Sequence, residues 1–269
     1  MMQTMLHIVE MMHSGHRSPD DLPAIRISQI CASKDGIGSP AAIANLIVIP
    51  ETFVDHCLGA DFATIESVIA SDSDLRWWRY PWIAYLGFSW AVAHEYMHLL
   101  RSHWIFDAPD GTRTDEVSLA TERDADLCAM AIIYRYLQRY CVRVSDDATL
   151  RQIALYSVFW IARSLPRHSA AATHLPMSVR LQDMASKLAM LREDPNDPPD
   201  PGAELPETLE RMAYLQSCFV KCEKAYLSLH PNEESMKAEV MAAIENGTLD
   251  RVGKTWDELS QLVRDPRER

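Results

Sequence analysis

Long apolar runs are missing from this sequence. The most hydrophobic stretch, Pro81 to Ala93 (PWIAYLGFSWAVA), covers 13 residues, short of the roughly 18 that a membrane-spanning helix needs. It also leads straight into His94 and Glu95, so a buried helix is expected and no integral membrane span. Positive charge is scarce as well: 26 Lys and Arg stand against 38 Asp and Glu, a formal net charge of −12. Such a balance repels phosphate backbones and speaks against a general nucleic-acid binder. Paired cysteines are absent. The six cysteines, at 31, 57, 128, 141, 218 and 222, form no CxxC, and the chain is too long for a small disulfide scaffold. Cys218 and Cys222 would share a helix face, which reads as two small residues rather than a metal pair, because no CxxC or histidine partner lies nearby. The opening segment, MMQTMLHIVEMMHSGH, lacks a basic leader followed by an apolar core, so no cleaved secretion signal is expected. Reduced thiols in the cytoplasm fit this usage. No internal repeat is present.

What is there suits one main domain with a smaller appendage, since 269 residues approach the limit of a single core. Ile43 to Pro50, within ANLIVIP, is β-branched, apolar and stopped by proline, which predicts a strand. From about residue 61 the apolar spacing turns helical, with segments near 81–105, 115–141, 149–165 and 177–192; Pro109, Asp110 and Gly111 punctuate the first gap. Residues 194–206 (DPNDPPDPGAELP) carry five prolines and part of an acidic cluster, which predicts an extended linker. Beyond it, 207–229 and 234–263 again read as helices. The expected class is therefore mainly α with a small β-sheet (α+β): a domain over 1–193, a Pro/acidic linker over 194–206 and a helical C-terminal region over 207–269.

Chemistry concentrates in WAVAHEYMHLLRSH, residues 90–103. His94 and His98 are four apart, so on a helix they stand one turn apart on one face. Two imidazoles so placed can bind one zinc ion while Glu95 projects beside them as a base for a water. No charge occurs among the other residues flanking the motif from Ala91 to Leu100, so this helix must be buried, and buried polar groups need partners.

A third ligand is required, and TERDAD at 121–126 offers one. Glu122 and Asp126 lie on one helical stripe that continues to Ala129 and Ile133. Glu122 would take the metal and Asp126 would accept the spare ring N–H of a ligating histidine; small Ala125 would let the two helices approach. A solvated acidic face, including Asp115, Glu116 and Asp124, is the plain alternative. His103, on a continuing helix, would point about 140° from His98, which suits packing or capping rather than ligation. A peptide-cleaving site also needs a donor for the carbonyl oxygen. His174 and Arg180 in ATHLPMSVRL (172–181) are candidates and His168 is a rival, with an ordinary surface loop as the alternative for that segment. His7, His13, His16, His56 and His230 show no ligand spacing.

Together HEYMHLLRSH, ERDAD and THLPMSVR resemble the gluzincin zinc metallopeptidases of the HtpX and CAAX-prenyl-protease type. Those carry HExxH, a later Glu-x-x-Ala-Asp, and a Thr-His-Pro segment with arginine six residues past its histidine; His174 and Arg180 keep that interval. Met97 stands where that family often has glycine, and Leu175 separates His174 from Pro176. The likeness spans about 44–180. It implies a zincin-like metallopeptidase domain with Zn2+ on His94, His98 and Glu122, Glu95 as general base, Asp126 supporting a histidine, and His174 and Arg180 near the oxyanion. Lit-type phage-exclusion peptidases and ImmA/IrrE regulators are soluble proteins of similar pattern.

The expected function is zinc-dependent endopeptidase cleavage of an intracellular protein or peptide, with substrate laid beside the 43–50 segment as an added strand. Two rivals remain: a non-catalytic zinc-binding regulatory protein of peptidase-like fold, and a helical interaction protein with a chance HExxH. For the C-terminal region two roles stay open, gating the cleft or recruiting a partner.

Overall fold

Residues 80–100 carry apolar side chains on every side rather than along one stripe, and such a helix is stable only when neighbours cover it. The computed structural model describes residues 26–30, 41–43, 46–50, 80–101, 103–106, 114–141, 146–164, 174–194, 201–233 and 235–263. In it Tyr80–Leu100 is one helix, α1. Its Ile83, Leu86, Phe88, Trp90, Val92 and Tyr96 are all buried. Helices α2 (Asp115–Cys141) and α3 (Asp147–Ser164) pack against it. Each of these starts at a capping side chain: Thr114 Oγ1 accepts from the Val117 N–H at 3.3 Å and Asp146 Oδ1 from the Thr149 N–H at 2.8 Å, satisfying donors that a helix start leaves open. Closest approach between α1 and α3 falls at Gly87. A Cβ there would lie 2.3 Å from Ile161 Cγ1 and 2.5 Å from the Ser157 carbonyl oxygen, so the two backbones meet where no side chain fits.

Four further helices follow: α4 (Met177–Met190), α5 (Pro201–Leu229), α6 (Lys237–Glu245) and α7 (Thr248–Val263). Arg151 of α3 is fully buried and ties α3 to the end of α4. It donates to Asp147, to the Tyr134 hydroxyl at 2.6 Å, and to the carbonyls of Leu188 and Leu191, oxygens that a helix end would otherwise leave unpaired. Leu215, Cys218, Phe219 and Cys222 of α5 are buried in the same core as α1 to α4. Helix α5 begins at Pro201 and takes in Pro206, so the last six residues of the expected linker are helical; at Pro201, in the first turn, a proline loses no hydrogen bond. Gly247, with φ of 60°, turns the chain between α6 and α7, a conformation glycine adopts freely. A second, smaller cluster (Ala120, Leu175, Val179, Ala243, Val252) lays α7 over the start of α2.

The α+β class expected from the sequence is overturned. From Tyr80 to Val263 every regular element among the described residues is a helix, and nearly all of the described core comes from helices. Extended backbone is confined to Arg26–Ile30 (β1), Ala41–Ile43 (β2) and Leu46–Pro50 (β3), paired in the order β1-β3-β2. The reason is that α1, α2 and α3 largely bury one another, and the short strands β2 and β3 only touch α1. The 43–50 segment is also not one strand: it divides between β2 and β3, and β3 is paired on both sides, so it offers no free edge to an added peptide strand. Residues 61–79, 107–113 and 195–200 lie outside the described residues, as do Cys31, Cys57, His7, His13, His16, His56 and His168. Among the described residues no helix is long and apolar enough to cross a membrane.

Gly87→Ala tests the close approach of α1 and α3. Helix propensity alone favours alanine by about 1 kcal/mol, whereas overpacking against a backbone oxygen costs about 1–3 kcal/mol. We expect a lower urea midpoint with an unchanged slope; a raised midpoint would contradict that contact.

Candidate metal centre

The last two turns of α1 place His94 and His98 one above the other, and α2 turns Glu122 and Asp126 toward them. His94 Nε2 lies 3.2 Å from His98 Nε2 and 3.1 Å from Glu122 Oε2, and His98 Nε2 lies 3.4 Å from Glu122 Oε1. One ligand atom from each of His94, His98 and Glu122 falls within 4.8 Å of the others. These three residues could hold a metal ion.

Proton bookkeeping explains why this geometry calls for a cation. His94 Nδ1 faces Asp126 Oδ1 at 2.9 Å, and an ionised carboxylate only accepts, so Nδ1 carries a proton. Nε2 of His94 then points its lone pair at the carboxylate of Glu122 and at a second imidazole nitrogen. Electron-rich atoms this close repel unless a proton or a metal ion sits among them. In the metal-free chain the proton takes that place. Burial opposes a charged imidazole, but the hydrogen bonds and charges of Asp126 and Glu122 outweigh it and lift the His94 pKa to about 10. Burial likewise pushes the Glu122 carboxyl upward, yet hydrogen bonds to His174, His94 and His98 hold it well below the usual range. Two imidazoles and a carboxylate, mutually within reach and with their outer atoms already bonded, fit a divalent ion.

The remaining residues singled out in the sequence gather round this cluster. Glu95 Oε1 is 3.9 Å from His94 Nε2. His174 Nε2 is 3.0 Å from Glu122 Oε2, and its side chain is 43% exposed. Arg180 donates from Nε at 2.6 Å and from Nη2 at 2.7 Å to the two oxygens of Asp126, a bidentate pair that fixes the carboxylate plane. Burial opposes the charge on Asp126, but the Arg180 guanidinium and His94 together bring its pKa down to about 2. The guanidinium is thus engaged from two nitrogens on α2.

Two groups escaped the sequence reading. Helix α1 stops at Leu100 and the chain winds into a short 3-10 turn, His103–Phe106. The premise of a continuing helix at His103 therefore fails, and its ring folds back to put Nδ1 2.9 Å from His98 Nδ1. Its Nε2 lies 3.2 Å from Asp124 Oδ2, which also accepts from Arg101 Nε at 2.9 Å. Burial lowers the His103 pKa against the pull of Asp124, which favours a neutral ring. Asp124 is buried rather than part of a solvated acidic face. The signal that could have found it was Asp124 and Arg101 as opposite charges beside a histidine, legible only once the two segments are known to touch.

Because His94 holds its extra proton up to about pH 10, loading the site must expel it, and affinity rises as that proton becomes easier to remove. Zinc affinity should climb about tenfold per pH unit between about pH 7 and 9, with roughly one proton released per ion. Calorimetry in buffers of different ionisation heat reads both. Binding without a linked proton would contradict the arrangement at His94.

Comparison with known proteins finds part of the chain similar to a family of peptidases. The model of the family described as Peptidase U49 matches residues 67–197, a span that includes α1, α2, α3 and α4 and all of the candidate ligands. No curated protein and no solved structure matches the chain. The family match supports a peptidase, a hydrolase acting on protein or peptide substrates.

Proposed function

We propose that this chain is a zinc-dependent endopeptidase of gluzincin type, cleaving a protein of the cytoplasm in which it resides. The observation that carries the reading is the convergence of His94, His98 and Glu122 inside the span matched by a peptidase family. Zinc is the ion of choice for two imidazoles and one carboxylate, a set that leaves a further coordination position open. When bound there it supplies Lewis acidity toward a scissile carbonyl and brings the pKa of a water to about 7.

The chain's own residues do the rest. Glu95, next to His94 on the same helix and partly exposed, takes a proton from the attacking water and passes it to the leaving amine. His174 approaches the cluster from beyond α3 and is the donor we assign to the carbonyl oxygen, where negative charge grows as the tetrahedral intermediate forms. We assign Arg180 as a positioning residue: through Asp126 it holds the His94 ring in the tautomer that leaves Nε2 for the metal.

Glu95→Gln should keep stoichiometric zinc and lose about 10²- to 10⁴-fold in kcat, whereas His94→Ala should lose the metal and all cleavage. Elemental analysis and peptide-library cleavage on the same preparations check both. Cleavage by Glu95→Gln at the wild-type rate would remove that residue from the mechanism, and a wild-type protein without zinc would remove the metallopeptidase reading.

A further inference from the structure

Each candidate histidine ligand has a second nitrogen that must be held. For His94 that partner is Asp126. For His98 it is another histidine, contributed by the turn after α1 and supported from two directions. Asp124 Oδ2 accepts from Arg101 Nε at 2.9 Å and faces His103 Nε2 at 3.2 Å. A carboxylate cannot donate, so the Nε2 of His103 carries the proton and its Nδ1 offers a lone pair. That lone pair lies 2.9 Å from His98 Nδ1. The His98 proton is thereby drawn to Nδ1, and Nε2, the atom beside His94 and Glu122, is left unprotonated. From the other side stands Trp256 of α7. Its ring meets His103 edge to face, with centroids 5.3 Å apart and planes at 77°, and the Arg101 guanidinium lies 5.3 Å from the Trp256 ring centroid. His103 is fully buried between these groups.

We propose that His103 is a positioning residue for the metal ligand His98, oriented by Asp124 and clamped by Trp256, so that the C-terminal helix α7 is part of the apparatus that holds the metal. This rests on the metal-site reading above and gives it a control element. Any event that lifts α7 from α2 frees the His103 ring to turn and shortens the residence of the ion without touching a ligand. It also assigns a task to a region outside the span that the peptidase family matches.

Packing and hydrogen bonding predict opposite orders for two variants at residue 103. His103→Phe fills the ring's space but offers no acceptor, and His103→Asn gives up volume but puts Oδ1 where Nδ1 stood. Zinc affinity of the full-length chain, measured by competition with a chromophoric chelator, should fall about 10- to 100-fold in His103→Phe and recover most of that loss in His103→Asn. Trp256→Phe keeps an aromatic face and should lose less affinity than Trp256→Ala, which should weaken binding in the direction of His103→Phe. Far-ultraviolet circular dichroism and one zinc per chain at saturation check that each variant is folded. Wild-type affinity in His103→Phe with weaker binding in His103→Asn would overturn the proposal and leave the metal site standing. A wild-type chain that binds no zinc would overturn the metal reading, and this proposal with it.

Discussion

Electrostatic repulsion among one buried and two half-buried groups is the constraint around which the helices are arranged. Two imidazole nitrogens and a carboxylate meet at separations of 3.1 to 3.4 Å, in surroundings where unpaired polar groups cost several kcal/mol. A core can keep such a cluster only if positive charge occupies its centre. The close packing of α1 on α2 concentrates apolar contact around it, through Tyr96 and Met97 on one helix and Ala125 and Ala129 on the other. Helix packing thus supplies the free energy that offsets the cost of holding these groups together, at a cluster that could hold a metal ion.

The outer atoms of the cluster are held by two chains of hydrogen bonds that run in different directions. His94 leans on Asp126, which is held by Arg180 of α4. His98 leans on His103, which is held by Asp124 and capped by α7. Each chain ends on an arginine engaged by a carboxylate of α2, so one helix carries a candidate ligand, Glu122, and both of the acids bonded to the histidines, Asp126 to His94 and Asp124 to His103. This explains why α4, remote in sequence, has to pack close by: without Arg180, Asp126 would be a buried charge with one partner fewer, which is strongly destabilising. Helix α7 acts differently, through the Trp256 ring laid against His103 and Arg101.

Much of the centre could be read from the sequence because it depends on local periodicity. His94 and His98 need only a helix to face the same way, and Glu122 with Asp126 need only the stripe shared with Ala129 and Ile133. His103 depended on where α1 ends, and nothing between Leu100 and His103 announces a stop: no proline or glycine stands there. Asp124 lies two residues from both Glu122 and Asp126, on another face of α2, and its partners Arg101 and His103 come from a different segment. Trp256 is further still along the chain. The place of the strands in the fold is illegible for a related reason. A β-branched run such as ANLIVIP predicts extended backbone, which β2 and β3 do show, but whether a sheet forms part of the core depends on what else is available to cover the helices. Pro201 opens a helix rather than ending one, because a proline at the first helical position has no hydrogen bond to lose.

X-ray absorption at the zinc edge of the purified full-length protein tests the central claim most directly, because it reads the atoms around the ion and not the activity. The arrangement of His94, His98 and Glu122 predicts about four nitrogen and oxygen neighbours at roughly 2.0–2.1 Å, the outer-shell scattering of two imidazole rings, and no sulfur. A sulfur shell near 2.3 Å, or a protein that retains no zinc, would contradict it.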